Sequence, residues 1–530
     1  MSMNRRDFLK AVGWTTMAGA VGHSAASGRQ RPNIVFLLTD DQAYNSLGSM
    51  GNRQVKTPHF DELAADGVVF DGHYDTTSIC MASRATIMTG QYEYRHGCNF
   101  TRGSLTRGQW NRSYPVLLRE AGYYTCFAGK FGFAVTDEPD KSGWNSNDKM
   151  PMDSFDVWHG WPGQGSYRTA DNEFVAMYAE KYPHVTRALG ATAQDFIKKA
   201  AKRRQPFCLS VSFKAPHSPL QPDPEFDDVY ADTVWREPPN YDEPGAAHLP
   251  KQAKSGRQYL KIRTFRPAMY QQNMGKYQQQ IHGVDRAIGM VRAELKKQGI
   301  SDNTVIIATS DNGYNCGSHG FGGKVLPYEE GSRAPLIVYD PRHQSAGMGR
   351  RCRSVTGNID VMPTILDFAG LPVPADVDGK SLRSLLRNPG SRVRNAMAIL
   401  NVWGPISTHE LSVVTENYKY IYWLFAGEGM KATEELYHLL SDRYEMNNLA
   451  ERPERQTILN EMRLLYDLEI ERWRKNCVRR SEYPEWATLL DRSVPWEAKR
   501  EVIPARAIQR NGEFKSGERA KRSGRGKALR

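Results

Sequence analysis

The sequence lacks paired cysteines at close spacing and lacks long apolar runs. Its seven cysteines are scattered and odd in number, namely Cys80, Cys98, Cys126, Cys208, Cys316, Cys352 and Cys477. At least one thiol is therefore unpaired, and the spacing predicts no disulfide framework. The apolar stretch over residues 11–22 is too short for a stable membrane span, and no other stretch reaches the needed length. We therefore predict a protein without a stable membrane span.

The body of the chain also lacks a strong charge of either sign. Of the formal net charge of +12, residues 1–31 carry +4 and residues 506–530 carry +7, which leaves about +1 for the residues between them. The basic residues thus collect at the two ends, and the charge of the body gives no indication of nucleic-acid binding. We predict no nucleic-acid partner and a basic, disordered tail over residues 501–530.

The first thirty residues have the features of an export signal. The run Asn4-Arg5-Arg6-Asp7-Phe8-Leu9-Lys10 resembles a twin-arginine signature, and a weakly apolar stretch and small residues suited to cleavage follow it. An amphipathic or disordered N-terminus is the alternative, but the order of these features favours a signal. We predict a signal segment over residues 1–30, the twin-arginine export machinery as a partner, and a periplasmic or secreted location.

The apolar pattern predicts an α/β fold. Residues 33–39 and 304–310 are continuous apolar runs of the kind found in parallel strands buried on both faces. Before the second run, apolar residues from Tyr277 to Leu295 recur every three or four positions, as in a helix that ends at Gly299. A further run over residues 335–339 follows. We predict a catalytic domain over residues 31–380 with a mostly parallel central sheet flanked by helices.

The pattern changes after about residue 380. Residues 411–414 and 418–423 alternate as antiparallel strands do, and a helical pattern covers residues 455–475. These features predict a smaller C-terminal α+β subdomain over residues 381–500. Residues 135–180 and 218–265 are rich in proline, glycine, aspartate and tryptophan without periodicity, and we predict that they are surface insertions around a site.

Acidic side chains follow both of the clearest predicted strands. Asp40 and Asp41 end the first, and Asp311 and Asn312 end the second. The carboxyl ends of parallel strands meet at one edge of a sheet, where converging carboxylates repel one another unless a cation lies among them. Oxygen ligands favour Ca²⁺ or Mg²⁺ over zinc. Either pair alone could be an ordinary turn, but the two together favour a metal site.

Cys80 lies where a predicted loop enters a predicted helix. Backbone N–H groups and the positive end of the helix dipole suit an anionic substrate there, and Arg84, one turn later, adds donors for anion oxygens. A thiolate nucleophile and an inert, packed thiol are the alternatives at this point.

These residues belong to a longer series of motifs that resembles a known family, the type I sulfatases of the alkaline-phosphatase-like superfamily. The resemblance covers most of residues 32–450 in the family's order. It comprises residues 33–42, Cys80 to Arg84 with Thr89-Gly90, Gly129-Lys130, Ala215-Pro216-His217, Asp311-Asn312-Gly313, His319-Gly320 with Lys324, residues 328–335 and Glu435-Leu436-Tyr437-His438-Leu439. Any one of these motifs alone would be a weak signal.

The resemblance implies a modified nucleophile. In this family a maturation enzyme oxidises the motif cysteine, here Cys80, to formylglycine, and the hydrated aldehyde attacks sulfur. Because twin-arginine export carries folded proteins, we predict that oxidation precedes export. The implied ligands of Ca²⁺, which the resemblance favours over Mg²⁺, are Asp40, Asp41, modified Cys80, Asp311 and Asn312.

The resemblance also assigns roles to cationic side chains. It implies that Arg84 and Lys130 hold the nucleophile and the sulfate. Lys324 and His217 would contact the sulfate and its bridging oxygen, with His217 as the general acid.

The sequence departs from the family pattern at two positions. Many relatives have a histidine where this chain has Gly132, so the group that deprotonates the enzyme's hydroxyl is missing. His319 could compensate as an acid or base, or it could only cap a loop beside the metal. Ala82 stands where proline is commoner, and this residue bears on which maturation enzyme acts.

Aromatic residues in the predicted insertions suggest a carbohydrate substrate. Trp158, Trp161, Tyr167 and Trp403 offer flat faces on which sugar rings could stack, although aromatic residues also pack in ordinary cores. We predict hydrolysis of a sulfated glycan, with a glycosaminoglycan- or mucin-like hexosamine sulfate as substrate. A phosphodiester or phosphonate monoester hydrolase and a non-catalytic glycan-binding relative remain alternatives.

Overall fold

The computed structural model describes residues 31–138, 147–259 and 264–503. The predicted export signal and most of the predicted tail lie outside these residues. Within the described ranges, no helix combines the length and the apolar character that a membrane crossing requires.

A large mixed sheet forms the centre of the fold. In chain order its strands are β1 (Asn33–Asp40), β2 (Val68–Phe70), β3 (Tyr124–Lys130), β4 (Val157–Trp161), β5 (Phe207–Pro216), β6 (Thr304–Ser310), β7 (Leu336–Tyr339) and β8 (Arg350–Cys352). Their spatial order is β8-β2-β7-β6-β1-β5-β3-β4. Among the strands that the described residues form in this sheet, only β7 runs antiparallel to its neighbours, which are β2 and β6. The prediction of a mostly parallel central sheet is confirmed.

Helices cover both faces of this sheet. They are α1 (Pro58–Asp66), α2 (Cys80–Thr89), α3 (Tyr114–Glu120), α4 (Val185–Ala200), α5 (Tyr270–Lys297) and α6 (Val361–Phe368), with α7 (Arg383–Arg387) following. On β1, Val35 and Leu37 face the layer of α4 and α5, whereas Ile34, Phe36 and Leu38 face the layer of α2, α3 and α6. Burial on both faces explains why β1 is a continuous apolar run.

Short elements complete the catalytic domain. One-turn helices lie at Glu93–His96, Arg107–Trp110, Asp242–Gly245, Lys251–Lys254 and Glu329–Ser332. Two small parallel ribbons pair His73–Tyr74 with Thr356–Gly357 and Leu105–Thr106 with Val135–Thr136.

A second, antiparallel sheet forms the C-terminal part of the fold. It contains β9 (Met397–Asn401), β10 (Glu410–Val414), β11 (Tyr418–Trp423) and β12 (Thr433–His438), and the helices α8 (Gln456–Asn476), α9 (Tyr483–Leu489) and α10 (Trp496–Val502) follow it. This arrangement confirms the predicted α+β character. Lys419 of β11 lies 2.8 Å from Glu329 and 2.9 Å from Glu445, so a buried ion pair joins this sheet to the one-turn helix Glu329–Ser332.

The structure corrects the prediction for residues 135–180. That segment contains β4, which pairs in parallel with β3 from Cys126 to Lys130 and belongs to the large sheet. The strand has only five residues and includes Gly160, so its sequence shows too little periodicity for recognition.

Two of the four candidate sugar-stacking residues are core residues, since Trp161 and Tyr167 are buried. The prediction that these two present faces to a sugar is therefore wrong. Trp158 and Trp403 are partly buried, and Trp158 stacks on Phe127 at 5.2 Å between ring centroids. Aromatic residues bury large areas, and here the edge of the sheet takes them up.

Candidate active site

The acidic residues meet at the carboxyl edge of the large sheet. Strands β1 and β6 are adjacent and parallel, and Thr39 pairs with Ser310, so the residues after each strand lie side by side. The backbone N–H of Asp41 donates to Asp311 Oδ1 at 3.2 Å, and Asn312 Nδ2 donates to Asp41 Oδ1 at 2.8 Å. Asp40, Asp41, Asp311 and Asn312 are all buried.

Cys80 is the first residue of α2 and points into this acidic group. Its thiol donates to Asp40 Oδ1 at 3.3 Å, and Lys324 Nζ lies 2.6 Å from Cys80 Sγ. Burial, reinforced by the charge of Asp40, raises the pKa of the Cys80 thiol to about 12. The unmodified side chain is therefore a protonated thiol at neutral pH, which is a poor nucleophile.

Arg84 lies one turn further along α2 and is completely enclosed. Its Nε donates to Asp311 Oδ2 at 2.8 Å, while Nη1 donates to the carbonyl of Lys130 at 2.7 Å and to Ser212 Oγ at 2.5 Å. Nη2 is buried without a hydrogen-bond partner and lies 3.6 Å from Asp40 Oδ2. One donor of the guanidinium thus stays available for an oxygen of a bound anion.

Two lysines complete the group of cations. Lys130, the last residue of β3, donates to Asp40 Oδ2, and Lys324 donates to Asp41 Oδ1. Burial acts to raise the pKa of Asp40, but the positive charges of Lys130, His217 and Arg84 outweigh it and hold this pKa well below its usual range. Asp40 is therefore ionised and held by cations.

His217 borders the site at the end of β5. Its Nε2 lies 3.7 Å from Asp41 Oδ2, and its Nδ1 lies 2.5 Å from the carbonyl of Ser218. A proton on Nδ1 suits that carbonyl and leaves Nε2 facing the acidic group. Burial lowers the pKa of His217.

His319 does not join this group. It lies in a separate buried cluster, where Nδ1 is 2.9 Å from the carbonyl of Gly245 and Nε2 is 3.0 Å from Asn240 Nδ2. The neighbouring carboxylates there are Glu330 and Glu445, and burial lowers the pKa of His319 to about 4. The acid–base role that its motif suggested finds no support in this position, because both ring nitrogens have protein partners.

Two residues beside the site, Asp75 and Lys214, were not predicted from the sequence. Asp75 is buried with neither carboxylate oxygen hydrogen-bonded, and burial, then the charge of Asp311, raises its pKa well above the usual range. Burial also disfavours the charged form of Lys214 and lowers its pKa to about 8. Its Nζ lies 4.9 Å from the ring centroid of Tyr167. The only signal for Lys214 was its place directly before Ala215-Pro216-His217, and nothing in the sequence singled out Asp75.

The donor set suits a hard divalent cation. It offers three carboxylates and one amide, and Asn312 Oδ1 is buried without a hydrogen-bond partner. An orphaned amide oxygen beside carboxylates is what a calcium ion would satisfy. Asp40, Asp41, Cys80 and His217 also have potential ligand atoms within 4.8 Å of one another.

Comparisons with known proteins bear on the family of this chain. A family model described as Sulfatase matches residues 32–371, and one described as N-sulphoglucosamine sulphohydrolase, C-terminal, matches residues 317–471. An N-acetylglucosamine-6-O-sulfatase of Bacteroides thetaiotaomicron is 27% identical over 482 residues, which cover 79% of this chain and 83% of that protein.

Solved structures share the fold. A protein in complex with its substrate D-glucosamine-2-N,6-O-disulfate has a TM-score of 0.70 at 24% identity, covering 86% of this chain and 100% of that one. The phosphonate monoester hydrolase of Agrobacterium radiobacter has a TM-score of 0.69 at 21% identity, covering 83% of this chain and 96% of that one. At these identities the likenesses bear on the fold alone.

Proposed function

Since this chain belongs to the sulfatase family, we propose that it removes a sulfate group from a hexosamine of a sulfated glycan. The observation that carries the proposal is the position of Cys80 at the start of α2, between Asp40 and Lys324. The similarity to an N-acetylglucosamine-6-O-sulfatase supports the choice of a hexosamine sulfate.

We propose that Cys80 acts after oxidation to formylglycine, whose hydrate supplies an oxygen nucleophile for sulfur. Asp40 Oδ1 lies 3.3 Å from Cys80 Sγ, so an ionised carboxylate is in place to accept a hydrogen bond from a hydroxyl at this position. The high pKa of the unmodified thiol agrees with a precursor role, because a protonated thiol would attack slowly.

The cations around Cys80 would bind the sulfate of the substrate. Lys130 and Lys324 each contact an aspartate of the site, and Arg84 keeps Nη2 without a hydrogen-bond partner. Three positive charges fixed in a buried site would stabilise the negative charge that develops on the sulfuryl oxygens during the reaction.

In its doubly protonated form, which the negative charge of Asp41 favours, His217 would donate its Nε2 proton to the leaving oxygen of the sugar. Its Nε2 faces the site, and its Nδ1 is held by the carbonyl of Ser218. Sugar alkoxides are poor leaving groups, so a proton donor at this edge would accelerate the cleavage of the bond to sulfur.

The ligands of a calcium ion would be Asp40, Asp41, Asp311, Asn312 and the modified side chain of residue 80. When bound, the ion would withdraw electron density from the sulfuryl oxygens. The orphaned Oδ1 of Asn312 supports this assignment.

The proposed function also requires two protein partners, a maturation enzyme and the twin-arginine export machinery. A maturation enzyme would convert Cys80 before export, since a buried cysteine at a helix start is out of reach in the folded chain. The twin-arginine machinery would then deliver the folded protein to a periplasmic or extracellular location.

The test is turnover by the purified full chain, produced together with a maturation enzyme. We expect sulfate release from N-acetylglucosamine 6-sulfate or N-acetylgalactosamine 6-sulfate, and none from Cys80→Ala. Mass spectrometry of the peptide that contains residue 80 should show the aldehyde or its hydrate. Faster turnover of an aryl phosphonate monoester than of any sulfate would replace this proposal with the phosphonate hydrolase, and an unmodified Cys80 in active protein would refute the nucleophile.

A further inference from the structure

Arg257 lies over the indole ring of Trp403, with its guanidinium carbon 4.5 Å from the ring centroid. Among residues 31–138, 147–259 and 264–503, no carboxylate forms an ion pair with Arg257, which is exposed at the surface. An arginine that is positioned by an aromatic ring but has no counter-charge is ready to bind an anion.

The segment that carries Arg257 is fastened to the loop that carries Lys324. The carbonyl of Gln258 accepts from the backbone N–H of Gly322 at 2.9 Å, and the ring of Tyr259 lies 5.8 Å from that of Phe321. Gly322 and Phe321 lie two and three residues before Lys324. Arg257 is therefore held beside the loop that positions a cation of the active site.

The other side of this segment contacts the C-terminal part of the chain. Ser255 Oγ lies 2.7 Å from Ser407 Oγ, and Gly256 faces Thr408. A Cβ atom on Gly256 would lie 3.0 Å from the Thr408 methyl group, so the two segments are in close contact. These contacts fix Arg257 relative to Trp403, which lies a few residues before Ser407.

Trp403 connects this pair to the nucleophile. Its ring packs against a small apolar cluster formed by Ile79, Ala82 and Val325. Ile79 directly precedes Cys80, and Val325 directly follows Lys324, so the cluster borders the reactive centre on both sides. Trp403 is partly exposed, and its backbone N–H donates to Asn401 Oδ1 at 3.0 Å.

We propose that Arg257, held in place by Trp403, binds a second anionic group of the substrate, a sulfate or a carboxylate on the glycan whose sulfate is removed. This assignment rests on the proposed sulfatase action on a glycan and narrows its substrate to one with at least two negative charges. The planar guanidinium suits the paired oxygens of either group, while Trp403 presents a flat face beside it.

The test compares saccharides with and without a second negative charge. N-acetylglucosamine 6-sulfate is the singly charged probe, N-sulfoglucosamine 6-sulfate carries a second sulfate, and a disaccharide of N-acetylglucosamine 6-sulfate with a neighbouring uronate carries a carboxylate. We expect Arg257→Ala to lower kcat/KM for the doubly charged probes, relative to the singly charged one, by about tenfold to a hundredfold. Arg257→Lys should lose less, and Arg53→Ala, at another exposed arginine, should leave the ratio as in the wild-type chain.

Binding gives a second readout that does not require turnover. The affinity of each probe is measured by calorimetry on the full chain with Cys80→Ala, with and without Arg257→Ala. Weaker binding of the doubly charged probes alone would support the assignment, and the probe affected would show whether sulfate or carboxylate is the partner. The assignment would be overturned if adding Arg257→Ala left the affinity of every probe unchanged. If no sulfate ester is hydrolysed while this binding difference persists, the proposed function fails and the anion site stands.

Discussion

A Cβ atom on Gly132 would lie 2.6 Å from Cδ of Arg84. The backbone of Gly132 also has φ of +90°, a conformation that favours glycine. The Arg84 stem therefore fills the space that a side chain at position 132 would need. With this backbone, a side chain at position 132 would require Arg84 to leave its contacts with Asp311 and Ser212.

Gly132→Ala tests this relationship. We expect a fall in kcat/KM on an aryl sulfate of at least tenfold, because the new methyl group would push Arg84 away from Asp311. Gly132→His should lose at least as much and should not gain activity from the added imidazole. Gly108→Ala is the matched control, since a Cβ there meets no atom within 4 Å. Full activity of Gly132→Ala would show that Arg84 can keep its contacts when position 132 carries a side chain.

Arg84→Lys should lower activity without unfolding the protein. A lysine keeps the charge but cannot reproduce the guanidinium contacts with Asp311, the carbonyl of Lys130 and Ser212 together. Losing one or two charged hydrogen bonds at the site predicts a decrease in kcat of about a hundredfold. The thermal midpoint, measured beside Arg53→Lys at an exposed position, separates this effect from lost stability. Wild-type kcat in Arg84→Lys would mean that charge alone suffices.

Calcium should stabilise the folded protein through the acidic group. Calcium at about a hundred times its dissociation constant should add about 2.7 kcal/mol to the free energy of unfolding, which is visible as a rise in the thermal midpoint after chelation and reloading. Asn312→Ala removes the buried amide oxygen that has no protein partner, so the calcium-dependent rise should shrink. Asn460→Ala, on the exposed face of α8, should keep it. An unchanged rise in Asn312→Ala would remove this residue from the ligand set.

Much of the site could be predicted because it depends on strand order and on a helix start. Asp40 and Asp311 follow apolar runs that only buried parallel strands explain, and their meeting follows once the two strands are neighbours. The sugar-stacking interpretation failed for Trp161 because burial of an aromatic residue depends on a sheet edge that local sequence does not show. Asp75 was missed for a related reason, since an isolated aspartate in a polar run carries no periodic signal and its burial comes from distant residues.

Asp285 of α5 should make the stability of the fold depend on pH, away from the active site. Its Oδ1 accepts from the backbone N–H of Phe60 at 2.8 Å, whereas Oδ2 is buried without a hydrogen-bond partner. Burial raises the pKa of Asp285 to about 7. In the unfolded chain the carboxyl ionises near its ordinary pKa of about 3.9, so the folded state holds this proton over a window in which the unfolded state has lost it.

The sign of the effect follows from that window. Protonated Asp285 should make its full contribution to the free energy of unfolding below about pH 4. The wild-type chain should lose this contribution as pH rises towards 7, by about 3–4 kcal/mol in total. Asp285→Asn keeps an acceptor for Phe60 without a titrating group, so its advantage over the wild type should grow with pH and level off above 7. Thermal midpoints of both proteins from pH 4.5 to 8.5 measure this, with Asp195→Asn as a partly exposed control. Parallel curves for wild type and Asp285→Asn would show that Asp285 ionises in the folded protein as it does in the unfolded chain.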